Sequence, residues 1–195
     1  VKAPISLSTK SVGEPSWSEL DNPKGDGWQT EVFNIIANRQ LKALGQLMLY
    51  PERLSAQHLE KITTDTVQAT RLVPAELTTI YEDPVLRVQR ADDGSTKIVY
   101  PSTKHHGTEQ LVVALKESLA PLISTTDRRF KIKIFRVESN GSDIVTKQYI
   151  DISGQSGDHI IEQHCTWLIR WKPQNQTDQR LPRIDYVELA EFERV

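Results

Sequence analysis

The stretch "HIIEQHCTWLIRWK", residues 159–172, decides the fold, and it also holds the only cysteine of the chain beside two histidines and a glutamate. Successive side chains of a β-strand point to opposite faces of the sheet. The odd positions form the more apolar set: His159, Ile161, Gln163, Cys165, Trp167, Ile169 and Trp171. The even positions carry Ile160, Glu162, His164, Thr166, Leu168 and Arg170. This spacing predicts a strand whose odd-numbered face points at the helices.

The same stretch is a candidate metal site because it combines His, Cys and Glu side chains. In a strand, Glu162 and His164 share one face about 6.6 Å apart, whereas His159 and Cys165 point the other way. A bound metal ion needs three or four ligands that converge on one point. Because too few ligands share either face, we predict no metal site and no cofactor. The expected alternative is an outer-face Glu–His pair and a buried cysteine.

The composition is that of an ordinary globular domain, with 195 residues of which 37% are hydrophobic and 26% charged. A formal net charge of −2 favours neither nucleic acid nor an anionic membrane surface as a partner. No apolar run approaches the roughly 20 residues that span a bilayer. The sequence also lacks the phosphate-binding, nucleophile-elbow and zinc-protease motifs. We therefore expect no nucleic-acid partner and no membrane span.

The chain divides into an arm and one domain. Residues 1–27 are rich in Ser, Pro, Gly and Lys and show no apolar period, which predicts an extended arm or linker. Apolar residues then recur at helical spacing over residues 28–49. A shorter helix is predicted from Ser55, and a third over residues 108–122. We predict a single domain over residues 28–195.

Strands are predicted by short segments rich in β-branched residues. Between the second and third helices these are TRLVP, LTTIYED, VLRVQRA and TKIVYP, at residues 70–74, 77–83, 85–91 and 96–101. The turn sequence at residues 92–95 predicts that the last two form a hairpin. Four longer alternating segments follow the third helix. Helices early in the chain and strands late in it predict the α+β class.

This order of elements resembles the nuclear transport factor 2-like (NTF2-like, or cystatin-like) fold, which includes SnoaL-like and ketosteroid isomerase-like proteins. The matching features are the segment IYEDPVLRV after the helices, the helix at residues 108–122 and the four long strands that end the chain. The resemblance implies a cone of strongly bent antiparallel sheet wrapped around two or three helices.

The resemblance also implies a pocket inside the cone. Its predicted lining is Tyr81, Gln163, Trp167 and Tyr186. Ketosteroid isomerase-like proteins pair a carboxylate base with a hydrogen-bond donor in an apolar pocket of this kind. The candidate catalytic residues are Asp83, Tyr100 and His105. A small apolar ligand is the expected occupant.

The outer face of the sheet is the predicted interface, since this fold often dimerises there. The residues predicted on it mix polar and apolar groups, as a moderately polar interface does: Lys131, Lys133, Phe135, Glu162 and His164. A solvated face with cross-strand charge pairs explains the same pattern. A homodimer and a solvated monomer surface both stay open.

A second resemblance involves the segments FKIKIFRVE, EQHCTWLIRWK and ELAEFERV. They are similar to domains that precede FG-GAP/VCBS propeller repeats in exported bacterial proteins. This resemblance implies an extracytoplasmic location and a place in a larger protein.

Two functions follow as hypotheses. The first is a non-enzymatic binding or assembly module within a larger exported bacterial protein. The alternative is a small-molecule enzyme of the isomerase or dehydratase kind, with an acid–base residue inside the cone. The cavity separates them, because an enzyme needs an apolar pocket in which an acid or histidine meets a tyrosine.

Overall fold

The computed structural model describes residues 28–91, 105–140, 143–172 and 181–195. The helices are α1 (Trp28–Met48), α2 (Ala56–Leu59) and α3 (Gly107–Leu119). Short 3₁₀ turns follow α1 at Pro51–Arg53 and α3 at Ala120–Leu122. The strands are β1 (Thr63–Ala69), β2 (Thr78–Glu82), β3 (Arg87–Arg90), β4 (His105–His106), β5 (Thr126–Asn140), β6 (Asp143–Ser156), β7 (His159–Lys172) and β8 (Arg183–Arg194).

The helices follow their apolar patterns closely. Helix α1 begins at Trp28 and ends at Met48, one residue before the predicted end. Helix α3 begins at Gly107, whose φ of +80° is a backbone conformation that glycine adopts without strain. The second helix is a single turn after Ser55. The predicted arm over residues 1–27 lies outside the described residues.

Strands β5 to β8 form an antiparallel meander, as predicted, within a sheet of order β2-β3-β8-β7-β6-β5. Extra residues interrupt the pairing at Phe135 of β5 and at Asp185 and Ala190 of β8. Such bulges bend a strand and increase its twist. The sheet is open, and the α+β class with a long bent sheet packed on helices is confirmed.

The shorter strands differ from the prediction in two ways. The segment at residues 70–74 is irregular, and the strand before it, β1, pairs in parallel with β8. The segment VLRVQRA forms its hairpin with LTTIYED, through β2 and β3, and residues 96–101 lie outside the described residues. The turn is set by Asp83, whose carboxylate accepts hydrogen bonds from the backbone N–H groups of Val85 and Leu86.

The core lies between the inner face of the sheet and the helices. Trp167 and Trp171 of β7 are buried there with Leu41 of α1 and Leu115 of α3. The ring of Phe33 meets that of Trp171 edge to face, with centroids 5.7 Å apart. Burial of each large apolar side chain contributes about 1.5–3 kcal/mol. These contacts fix which face of β7 points inward.

A buried polar network supports the same layer. The indole nitrogen of Trp171 donates to Thr146 Oγ1 at 2.8 Å, and Thr146 donates to Gln148 Oε1 at 2.8 Å. Gln148 Nε2 in turn donates to the backbone oxygen of Trp167 at 2.9 Å. Buried polar groups are costly unless they are hydrogen-bonded, so this network lets polar residues occupy the inner face of β6.

Helix α1 and strand β5 approach each other closely at Gly45. A Cβ atom at this position would overlap the ring of Phe130. We expect Gly45→Ala to lower the free energy of unfolding by about 1–3 kcal/mol through overpacking, although Ala is favoured over Gly by about 1 kcal/mol inside a helix. Urea unfolding of Gly45→Ala, Phe130→Ala and the double variant measures the coupling. A stabilising Gly45→Ala in the presence of Phe130 would show that the helix does not pack this way.

Arg128 joins the C-terminal ends of two helical segments. Its guanidinium donates to the backbone oxygen of Leu49 at 3.0 Å and to those of Leu122 and Ile123 at 2.8 and 2.5 Å. The last carbonyl groups of a helix lack partners within the helix, so they need donors of this kind. This arginine of the basic stretch DRRFKIKIFR is therefore a capping residue.

Removing this cap should destabilise the fold. We expect Arg128→Ala to lower the free energy of unfolding by about 2–3 kcal/mol, because hydrogen bonds to a charged group each contribute about 1.5–3 kcal/mol. The neighbouring Arg129 is exposed, and Arg129→Ala should change stability by less than about 0.5 kcal/mol. Chemical denaturation of the two variants provides the comparison. Equal losses would contradict a capping role specific to Arg128.

Candidate functional site

Strand β7 has the two faces that its sequence predicts. The odd-numbered residues from Gln163 to Trp171 point inward and are buried. Glu162 and His164 are partly exposed on the outer face. The prediction that residues 159–172 form a strand with an apolar odd face is confirmed.

Cys165 belongs to the buried set. Burial raises the pKa of its thiol to about 12. A thiol in this state is protonated at neutral pH, and the thiolate is the form that attacks electrophiles and binds metals. Among the described residues, no three His, Cys, Asp or Glu side chains are placed to hold a metal ion.

Side chains of the hydrophobic core lie where the pocket is predicted. Trp167 and Leu115 are buried, and Ile132 is partly buried against them. Gln163 is also buried, and its amide nitrogen donates to the backbone oxygen of Ser118 at 3.0 Å. The indole nitrogen of Trp167 and the side-chain amide of Gln40 have no hydrogen-bond partner among the described residues. Trp167 is therefore a core residue in this part of the cone.

Tyr81 and Asp83 lie outside that interior. Both are exposed in the β2–β3 hairpin, where the Tyr81 hydroxyl donates to Asp83 Oδ2 at 2.6 Å. This hydrogen bond, followed by those from Val85 and Leu86, lowers the pKa of Asp83. The same bond raises the pKa of Tyr81. An acid inside an apolar pocket would have a raised pKa, so the geometry of this pair differs from the one expected for an isomerase.

Among the other candidates, Tyr186 does not join Trp167. Tyr186 lies on the outer face, where its ring centroid is 5.2 Å from the guanidinium carbon of Arg170. Tyr100 is outside the described residues. His105 pairs with Ala69 through the backbone of β4, and its side chain is outside the described atoms. Tyr186 is the cross-strand partner of Arg170, which faces outward, so Tyr186 faces outward as well. The four predicted pocket residues are therefore not brought to one point.

The outer face does bring several functional groups together. The Tyr149 hydroxyl is 2.8 Å from His164 Nδ1, and the two rings stack with an interplanar angle of 14°. The other ring nitrogen of His164 is 3.4 Å from Glu162 Oε2. Partial burial and then the negative charge of Asp151 raise the pKa of Tyr149. Tyr149 therefore keeps its proton at neutral pH, and it is suited to donating a hydrogen bond.

Charged residues flank this cluster in rows that cross the sheet. Lys131, Asp151, His164 and Glu193 are successive cross-strand neighbours on β5, β6, β7 and β8. Lys131 Nζ is 3.6 Å from Asp151 Oδ2, and Arg90 Nε donates to Glu193 Oε2 at 2.5 Å. The next row holds Lys133, Tyr149, Thr166 and Glu191. Basic residues thus line β5 and acidic residues line β8.

A cleft of about 430 Å³ opens beside the cluster, between Tyr149 and His164 on one side and Glu191 and Glu193 on the other. The predicted interface residues Lys131, Lys133, Phe135, Glu162 and His164 all lie on this outer face. Sequence reasoning did not place Tyr149, Arg90, Glu191 or Glu193 at this surface. The alternation of β6 signals that Tyr149 faces outward, but only the strand register places it beside His164, and only the bulge at Ala190 turns Glu191 to the same face.

The arrangement can make directional polar contacts across a surface. Tyr149 is 41% exposed and Phe135 is 53% exposed, so aromatic groups are available for contact within a charged surround. Tyr and Phe are enriched in interfaces for this reason. None of the helices in the described ranges is both long and apolar enough to cross a bilayer.

The state of Cys165 leads to a labelling prediction. We expect the native protein to react with a thiol reagent at neutral pH only at the rate at which β7 opens, because the thiol is buried and protonated. Unfolding in denaturant should expose one reactive thiol per chain. The absorbance change on reaction with a disulfide reagent measures the labelling rate of the native protein and the number of thiols that unfolding exposes. Immediate stoichiometric labelling of the native protein would contradict the burial of Cys165.

No family model matches the sequence, and no curated protein matches it. Solved structures do match. A conserved protein from Planctomyces limnophilus DSM 3776 is 11% identical, with a TM-score of 0.46 over 84% of this chain and 98% of that chain. The LinA-type3 hexachlorocyclohexane dehydrochlorinase from Novosphingobium barchaimii LL02 is 12% identical, with a TM-score of 0.42 over 82% and 93%. A protein named Rd1NTF2_04 with long sheet is 11% identical, with a TM-score of 0.42 over 79% and 99%. The fold described above rests on the order and pairing of the strands, and no activity is inferred from these matches.

Proposed function

We propose that this chain is a non-enzymatic assembly module that binds a second copy of itself through the outer face of β5 to β8. The observation that carries the proposal is the separation of charge across that face. The basic side belongs to β5 and consists of Arg129, Lys131, Lys133 and Arg136, the last of which forms an ion pair with Glu138 of the same strand. The acidic side belongs to β8 and consists of Glu188, Glu191 and Glu193.

The two sides are too far apart to neutralise each other. Neighbouring strands are about 4.8 Å apart, so β5 and β8 are separated by about 14 Å. Charges exposed to solvent are largely screened beyond about 8 Å at physiological ionic strength. Local ion pairs offset part of each charge, namely Lys131 with Asp151, Arg136 with Glu138 and Arg90 with Glu193.

A two-fold symmetric pair of such faces is self-complementary in one orientation. A two-fold axis that lies in the interface, parallel to the strands and between β6 and β7, places β5 of each copy over β8 of the other. A two-fold axis in the same plane but perpendicular to the strands would place β5 of one copy over β5 of the other. The basic side chains of the two strands would then repel each other. The stacked Tyr149 and His164 would lie near the centre of the favoured arrangement, where contacts between copies exclude water.

The enzyme alternative has less support. It needs an acid and a tyrosine that meet inside an apolar pocket. Trp167 and Leu115 are buried core residues, and Asp83 is an exposed turn residue with a lowered pKa. The Tyr149–His164 pair lies on an open surface and not in a site that excludes water.

The proposal includes the sequence-level expectation that the module works within a larger exported bacterial protein. The resemblance to domains that precede propeller repeats supports this part. Sequencing the complete gene tests it. Flanking propeller repeats and a secretory leader would support it, and a gene that encodes neither would remove it without affecting the self-association.

Charge exchange tests the interface. We expect the unchanged chain to dimerise in light scattering coupled to size exclusion. Lys131→Glu/Lys133→Glu should weaken dimerisation by about 100-fold, because like charges placed opposite each other cost several kcal/mol. Glu191→Lys/Glu193→Lys should do the same. An equimolar mixture of the two variants should restore dimers, since each altered strand then faces one of opposite charge.

The control variant is Lys116→Glu/Glu117→Lys on the exposed side of α3, which should leave dimerisation unchanged. Far-ultraviolet circular dichroism establishes that each variant is folded. A monomer at all concentrations, or dimers that survive both charge reversals, would remove the proposal.

A further inference from the structure

A groove at one end of the sheet combines an apolar rim with a half-buried arginine. It lies between the β2–β3 turn, the β6–β7 turn and the end of α3, and its volume is about 540 Å³. Val85 is 92% exposed and Ile160 is 59% exposed, and Leu86 and Pro121 line the groove beside them. Most ligand pockets have volumes of about 300–1,000 Å³. Exposed apolar groups gathered around a concave surface of this size indicate a binding site.

Arg194 is the charged group that the apolar rim surrounds. It is only partly exposed near the end of β8, and its Nη2 lies 3.2 Å from the side-chain oxygen of Gln163. Its guanidinium carbon is 5.6 Å from the centroid of the Phe192 ring. Within residues 28–91, 105–140, 143–172 and 181–195, no carboxylate forms an ion pair with Arg194. Burial alone lowers its pKa, with no contribution from a neighbouring acid.

Three of the other charged groups of the groove are already engaged. Glu82 and Arg87 form an ion pair with each other. The carboxylate of Asp83 accepts three hydrogen bonds, one from the Tyr81 hydroxyl and two from the backbone of the turn. These groups therefore leave the charge of Arg194 uncompensated.

We propose that this groove binds a small carboxylate with an apolar body. The carboxylate would pair with the guanidinium of Arg194, and the apolar body would lie along Val85, Leu86 and Ile160. A guanidinium can hold a carboxylate through two parallel hydrogen bonds, and the pair is stronger where water is partly excluded. Each methylene group removed from water adds about 0.8 kcal/mol to binding. This site is separate from the outer sheet face and does not depend on self-association.

Isothermal titration of the full chain with three probes tests the site. Octanoate carries both features, 1-octanol lacks the carboxylate and butanoate lacks most of the apolar body. We expect saturable binding of octanoate that is at least tenfold tighter than binding of either other probe. Arg194→Gln should weaken octanoate binding about tenfold or more and leave 1-octanol binding unchanged.

Glu82→Gln/Arg87→Gln is the matched control, because both residues line the same groove and form an ion pair, so that replacing both leaves the net charge of the groove unchanged. It should leave octanoate binding unchanged. Val85→Asp changes a side chain that is 92% exposed, so it leaves the fold intact. Val85→Asp should weaken the binding of both octanoate and 1-octanol. This variant decides the test if circular dichroism shows that Arg194→Gln is unfolded. Absence of octanoate binding at millimolar concentration, or equal binding by the unchanged protein and a folded Arg194→Gln variant, overturns the proposal.

Discussion

The burial of Trp167 and Trp171 on one face of β7 determines what each surface of the sheet can do. Both indoles pack against the layer that contains Leu41 and Leu115, and their strand neighbours His164 and Arg170 must then face outward. A shift of the register by one residue would place the whole apolar set in solvent. The inward position of these two rings therefore also defines the charged outer face.

The sequence was sufficient for the parts of the fold that depend on periodicity. Alternation over residues 159–172 and helical spacing after Trp28 reflect burial directly, and both elements form where predicted. Strand pairing was harder to predict. The segment VLRVQRA could pair with the segment before it or after it, and the hydrogen bonds of Asp83 select the nearer partner. The parallel contact of β1 with β8 has no local signal at all.

The candidate sites also combine features that periodicity predicts with features that depend on strand pairing. The outward positions of Glu162 and His164 followed from alternation, but Tyr149 joins them through the pairing of β6 with β7. The bulges at Asp185 and Ala190 change which residues of β8 face outward, and no feature of the sequence marks them. Arg194 was not predicted either. Its importance depends on partial burial and on the absence of an ion pair to its guanidinium among the described residues, and both are properties of the folded chain.

The guanidinium of Arg128 has a consequence for how the molecule opens. It binds carbonyl groups at the end of α1 and others in the turn after α3, although these segments are more than seventy residues apart in the chain. Fraying of either helix removes a carbonyl acceptor that holds the Arg128 side chain in place. The guanidinium is then less well positioned to cap the other helix. Unfolding at the end of one helix therefore lowers the free energy needed to unfold the end of the other. This favours concerted melting of both helices over independent fraying.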